Sequence, residues 1–384
     1  RDAESLAPVI EEIREGGRFG LDTEFLREKT YRARLCLVQV ATTNGVYLID
    51  PLGELELGPL AETIADPQVE VIVHAGRQDF ELFYERYGAV PAAVFDVQVA
   101  AAFAGLGASL PYGRLVESLT GTALVKGESY TDWCKRPLTS AQLSYAADDV
   151  RYLLEMSDKL RDKLHRLGRL EWASDEMAFF ESAEAYGTEA SDAWRKVSGR
   201  GSLSGKQMAA LRELAAWREE SAARRDLPRG WVVKDQTLIE IARRSPTTRE
   251  ALKGIRGFNP REAERSGPQI LAAIERSRSA PRFEAAPSPP RAAQNRARLL
   301  SGVADAVVRA RCEAAEMATE LVSTRGELEA VLADIFGGNA DPSRHRLLRG
   351  WRKELAGDAV VALAEGRVAV RAIDRPPYVE EVRL

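Results

Sequence analysis

Over residues 18–25 the side chains alternate: Phe19, Leu21 and Phe25 fall on one side, Gly20, Asp22 and Glu24 on the other. A period of two is that of a β-strand, and it sets two carboxylates on one face with Cα atoms about 7 Å apart. Neighbouring acids on a strand repel each other and resist desolvation unless something positive neutralises them. Two readings follow. Either this is an edge strand with a solvated acidic face, or it is a central strand whose acids hold a Lys, an Arg or a divalent cation.

The segments that follow favour a sheet. Runs at 35–41 and 46–50 flank a Thr42-Thr43-Asn44-Gly45 turn, so three antiparallel strands are expected. Residues 69–73 form a short β-branched run, and 78–87 read as a helix carrying Phe80, Phe83, Tyr84 and Tyr87. Asp96 is placed as the N-cap of a helix over 97–103. Thr139-Ser140-Ala141-Gln142 is a capping box, and the helix it opens is expected to continue past Met156. Antiparallel strands followed by alternating strands and helices predict an α/β block: a mixed sheet with helices on both faces.

Length and charge divide the rest. A chain of 384 residues suggests two or three domains. Residues 1–164 carry 17 Lys and Arg against 26 Asp and Glu, whereas 202–279 carry 16 against 10. An acidic block beside a basic one fits either inter-domain docking or a cation site next to a phosphate-binding module. Residues 280–291 are rich in Pro and Ala and read as a linker. Val233 to Leu238 resembles Val322 to Leu328, each after a helical run, so two similar helical modules are expected on either side of that linker.

Some chemistries are excluded early. Cys36, Cys134 and Cys312 lie far apart with no C-x-x-C pair, which argues against a disulfide framework, a thiolate zinc site and an oxidising compartment. The three histidines, His74, His165 and His345, are too scattered for a His-rich metal site or a Ser-His-Asp relay. No apolar run is long enough to cross a membrane and no signal-peptide pattern follows Arg1, so a soluble cytoplasmic protein is expected. Catalysis must then rest on carboxylates, tyrosine or backbone. Candidates beyond Asp22 and Glu24 are Asp79, in the first turn of its helix, and Tyr145 with Asp149, one helical turn apart on one face. Taken singly, Asp79 also fits helix-dipole stabilisation, and the Tyr145–Asp149 pair a simple hydrogen bond.

Taken in order, these residues resemble a known family. Asp22-Thr23-Glu24-Phe25, His74-Ala75-Gly76-Arg77-Gln78-Asp79 and Tyr145-x-x-x-Asp149 match the three motifs of the DEDD 3′→5′ exonucleases, tyrosine subclass. Ser144 stands where the histidine subclass has its histidine. Asp132-Trp133-Cys134-Lys135-Arg136-Pro137-Leu138-Thr139 is similar to ribonuclease D, and residues 202–279, with Asp226-Leu227-Pro228-Arg229, resemble the helical HRDC domain. The resemblance implies a ribonuclease-H-like exonuclease domain over 1–165, a helical connector over 166–201, an all-α HRDC domain over 202–279, a linker over 280–291, a diverged second all-α HRDC-like domain over 292–372 and a tail over 373–384.

It also implies a mechanism. Two Mg²⁺ or Mn²⁺ ions about 3.5–4 Å apart can neutralise the phosphate, activate water and stabilise the leaving oxygen without a histidine. By resemblance, Asp22 bridges both ions, Glu24 and Asp149 complete the water-activating site, Asp79 orients the second ion, and Tyr145 aims the attacking water. The expected reaction releases nucleoside 5′-monophosphates from the single-stranded 3′ end of RNA, tRNA precursors among them, by a monomeric enzyme. A 3′→5′ DNA exonuclease and a non-catalytic nucleic-acid-binding scaffold are the alternatives. Tyr31, Arg34, Lys126, Trp133 and Arg136 near the motifs, with Arg224, Arg225 and Lys234 in the basic module, are the expected nucleic-acid contacts.

Overall fold

The computed structural model describes residues 3–27, 29–53, 55–124, 131–187, 190–280, 288–339 and 341–384. Strands Arg18–Leu26 (β1), Arg34–Ala41 (β2), Val46–Ile49 (β3), Glu70–Val73 (β4) and Val94–Asp96 (β5) form one sheet in the order β3-β2-β1-β4-β5. β1, β2 and β3 are antiparallel, as the turn chemistry predicts, whereas β4 and β5 join parallel to β1. The acidic strand is therefore central. Its pairing to β4 stops at Gly20↔Ile72, while its pairing to β2 continues to Leu26. The β4-side edge of β1 is thus open from Asp22 onward, and a helix end fits there.

Helices Ala3–Gly16 (α1), Gly58–Ile64 (α2), Arg77–Tyr87 (α3), Val97–Phe103 (α4), Tyr112–Thr120 (α5), Ser140–Arg151 (α6), Leu153–Leu167 (α7) and Leu170–Met177 (α8) flank the sheet. The Thr139–Gln142 capping box is formed in full, and the Asp96 carboxylate caps α4 through Gln98 and Val99. One expectation is corrected: the helix opened by Thr139 breaks at Tyr152 instead of running past Met156. The break coincides with the closest approach to β1, where a Cβ on Gly20 would meet the Leu153 side chain at 3.1 Å.

The basic module contains Gly205–Arg225 (α9), Arg229–Val232 (α10), Asp235–Arg244 (α11), Arg249–Lys253 (α12) and Pro260–Ser279 (α13). It has a separate core built on Leu211, Leu214, Leu238, Ile241, Leu252 and Ile270. The C-terminal module begins with Arg291–Ala314 (α14), Thr319–Val322 (α15) and Arg325–Phe336 (α16). In both modules a long helix ends near a left-handed residue, Asp226 at φ 46° and Glu316 at φ 51°, before a four-residue helix and a longer one.

The C-terminal region is helical as expected, with two additions. Val368–Ala372 (β6) and Val379–Arg383 (β7) pair as an antiparallel hairpin, so the segment 373–384 is not a mere tail. Arg311 of α14 donates to Glu381 of β7 at 2.6 Å and holds the hairpin in place. This module also shares the core of the α/β block instead of forming its own: Trp351 stacks on Trp172 and meets Phe103 edge-on. Among the described residues no helix is long and apolar enough to cross a membrane.

Candidate active site

Strand alternation sends Asp22 and Glu24 to the same face of β1, the face that α6 covers with Tyr145 and Asp149. One carboxylate oxygen from each of Asp22, Glu24 and Asp149 lies within 4.8 Å of the others. Asp79 comes in at the open edge of β1 and accepts a hydrogen bond from the Thr23 hydroxyl. The turn that launches its helix is held by Asp96, which accepts from Ala75 N at 3.1 Å and Gly76 N at 3.2 Å. Position 76 admits only glycine, because a Cβ there would lie 2.5 Å from the Val73 side chain. Asp96 is therefore more than an N-cap, since it fixes the turn that delivers Asp79.

The electrostatics overturn the solvated-edge reading. Burial first, then repulsion from Asp79, Asp149 and Glu24, pushes the Asp22 carboxyl well above its ordinary value. Burial first, then repulsion from Asp149 and Asp79, raises Glu24 to about 8. Burial raises Asp79 to about 7 against the hydrogen bond from Thr23. Asp149 rises to about 7 through burial and Asp148, despite a hydrogen bond from Tyr145 that pulls it down. Among the described residues, the leading causes of these four shifts are burial, neighbouring acids and hydrogen bonds, not a Lys or Arg. An all-carboxylate donor set suits hard divalent cations, which bind oxygen ligands.

Several expected nucleic-acid contacts prove structural. Trp133 is 2% exposed and its ring lies 6.0 Å from that of Tyr145, so it backs the phenol instead of meeting a base. Arg136 donates twice to Asp50, at 2.8 and 2.9 Å, and also to the Cys36 and Trp133 carbonyls. Those bonds pin the loop before α6 to β2. Cys134 in that loop forms a disulfide with Cys36, a pairing that the 98-residue separation conceals and that corrects the reading of the cysteine spacing as evidence against a disulfide. Tyr31 is taken up by the joint to the basic module: its hydroxyl donates to Glu219 at 2.6 Å. Arg225 is paired with Glu262 at 2.8 Å. Lys126 lies outside the described residues.

Arg34, Arg224 and Lys234 are exposed, as a contact role requires. Arg34 lines a cavity of about 540 Å³ with Arg32, Arg86, Glu85 and Asp226, between β2, α3 and the end of α9. Sequence reading missed Trp231, which is 61% exposed and lines a groove of about 1020 Å³ with Lys234, Arg244 and Arg256. Its signal was weak: Val232 and Val233 supply the buried residues of that turn, which leaves the tryptophan outside. Tyr112, whose hydroxyl donates to the Asp148 carbonyl at 2.8 Å, was also missed.

A central acidic strand, an acid from α3 and a Tyr-x-x-x-Asp helix define the metal-dependent 3′→5′ exonucleases of the DEDD type, and the comparisons agree. A family model for 3′–5′ exonucleases matches residues 1–165, and one for the HRDC domain matches 207–274. Ribonuclease D of Granulibacter bethesdensis is 37% identical over 96% of this chain and 92% of its own. Ribonuclease D of Pseudomonas paraeruginosa is 34% identical over 95% and 96%. The crystal structure of Escherichia coli RNase D, an exoribonuclease involved in structured RNA processing, superposes with a TM-score of 0.81 at 31% identity, covering 95% of this chain and 97% of that one. The chain belongs to the ribonuclease D family and is a 3′→5′ exoribonuclease.

Proposed function

We propose that this enzyme trims single-stranded 3′ ends of structured RNA, tRNA precursors included, one nucleoside 5′-monophosphate at a time and as a monomer. Two divalent cations, Mg²⁺ or Mn²⁺, would be held by Asp22, Glu24, Asp79 and Asp149. The observation that carries this reading is the convergence of those four acids, all raised by burial, with no Lys or Arg among the leading influences on them from the described residues. When bound, such ions neutralise the scissile phosphate and acidify water.

The chain's own contribution is positional. Asp22 and Glu24 are held in register by the ladder to β2, which runs from Gly20 to Leu26, while Arg18 to Gly20 are anchored to β4. Tyr145 is bonded to Asp149 and backed by Trp133, which suits it to orient the attacking water. The groove beside Trp231 offers a stacking surface and cations for the RNA body upstream of the 3′ end, with Arg224 and Lys234 on the same module. The recurrence of long helix, left-handed residue and four-residue helix supports reading 292–372 as a second, diverged HRDC copy.

The test is a 5′-labelled, 3′-tailed RNA hairpin and its DNA counterpart, incubated with Mg²⁺, Mn²⁺ or EDTA. A ladder shortening from the 3′ end of RNA, absent in EDTA, is the expected result. Endonucleolytic fragments, or cleavage unaffected by EDTA, would refute the mechanism, and equal degradation of DNA would refute the RNA preference.

A further inference from the structure

Gln39 sits in the middle of β2, directly opposite Asp22 in the antiparallel ladder and opposite Leu48 on its other side. Directly paired residues share a face, with Cβ atoms about 4.5–5.5 Å apart. The Gln39 side chain therefore lies on the floor of the carboxylate site, on the face that α6 covers. Its neighbours two residues away on the same strand, Leu37 and Ala41, are both buried and apolar. Gln39 is completely buried, yet neither its amide nitrogen nor its amide oxygen has a hydrogen-bond partner.

A buried amide without partners carries its full desolvation penalty, whereas an apolar side chain of similar length would carry none. Gln39 thus weakens the core of the metal-free chain. The residue directly across the ladder from it on that face is Asp22. An ionised Asp22 offers oxygens that accept from an amide N–H, and charged acceptors make the stronger hydrogen bonds.

We propose that Gln39 is a positioning residue for Asp22, its side-chain NH₂ donating to the Asp22 carboxylate in the cation-loaded site. The proposal rests on the metal reading given above. Outer groups that orient metal-binding carboxylates are worth about 10–100-fold in metal affinity. In this arrangement the amide costs stability in the empty site and contributes affinity in the loaded one.

The test uses the full chain and the variants Gln39→Met and Gln39→Leu, with two readouts. One is thermal unfolding in EDTA and the other is calorimetric titration with Mn²⁺ alone. The expected result is a variant as stable as the wild type or more so in EDTA, with Mn²⁺ affinity lower by about tenfold or more. Exonuclease activity should fall at low Mn²⁺ and recover at high Mn²⁺. A variant that binds Mn²⁺ as tightly as the wild type overturns the proposal, and so does one destabilised in EDTA with unchanged affinity, which marks a packing role. If the wild type itself binds no Mn²⁺, the metal reading fails and this proposal falls with it. Failure of Gln39 alone leaves wild-type binding intact, so the two failures are distinguishable. Should Gln39→Leu not fold, the unbranched Gln39→Met carries the same readouts.

Discussion

The Tyr31 hydroxyl donates to Glu219 across 188 residues at 2.6 Å, tying the loop that leaves the catalytic strand to α9 of the HRDC domain. Glu219 also accepts two bonds from Arg229, whose guanidinium lies over the Tyr31 ring at 5.1 Å. Asp226 adds two more through the backbone N–H groups of Tyr31 and Arg32. Burial and Glu219 push the Tyr31 phenol up to about 12, so it stays a donor throughout the working range. Tyr31→Phe is expected to remove one charge-assisted hydrogen bond, about 1.5–3 kcal/mol, and to separate unfolding of the HRDC domain from that of the exonuclease domain. Calorimetry that shows an unchanged single transition would contradict this.

The acidic site predicts an inverted pH response in the absence of metal. Glu24, Asp79 and Asp149 are raised to about 8, 7 and 7 in the folded chain. In the unfolded chain they return to about 4. Between these limits the native state binds more protons than the unfolded one, so their contribution to stability is full below about pH 4 and declines as pH rises to about 8. Mg²⁺ is therefore expected to raise the melting temperature more at pH 8 than at pH 5. A larger rise at pH 5 would argue against the cluster as the binding site.

Asp22→Asn separates function from stability. Hydrolysis should fall by on the order of a thousandfold or more, because the central acid is lost. In EDTA at pH 8 the same change relieves repulsion and should raise the melting temperature, by about 2–4 °C per kcal/mol relieved. An active variant, or one that melts lower, would refute the assignment.

Arg136 distinguishes a structural from an RNA-binding role. Arg136→Ala removes two bonds to Asp50 and two that fix the loop carrying Trp133, at a cost of about 2 kcal/mol or more. Stability and turnover should drop while the salt dependence of RNA binding stays as in the wild type. A slope of log K against log salt reduced by about one would mean that Arg136 contacts phosphate after all.

Trp231 is the converse case. At 61% exposure it holds no core together, so Trp231→Ala should leave the melting temperature unchanged. RNA affinity is expected to weaken by about 1–3 kcal/mol, the worth of a stacked base. Lys234→Ala should reduce the salt slope by about one. Filter-binding titrations over a range of salt decide both, and wild-type affinity in Trp231→Ala would remove the groove from the RNA path.

What the amino-acid order determined by itself is local. Alternation placed Asp22 and Glu24 on one face, the spacing of four joined Tyr145 to Asp149, and the Thr139 and Asp96 caps marked where helices begin. These relationships span a few residues and follow from the periods of strand and helix, which is why motif and chemistry were legible before the fold. Tertiary structure alone decided which polar and aromatic groups face solvent. Trp133, Arg136 and Tyr31 look the same in sequence as Trp231, Lys234 and Arg34, but the first three meet partners within the protein, 12, 86 and 188 residues away. The pairing of Cys36 with Cys134, the shared core of the C-terminal module and the stranded amide of Gln39 opposite Asp22 likewise depend on which distant segments pack together. Periodicity constrains the face a residue occupies, and only packing determines what that face meets.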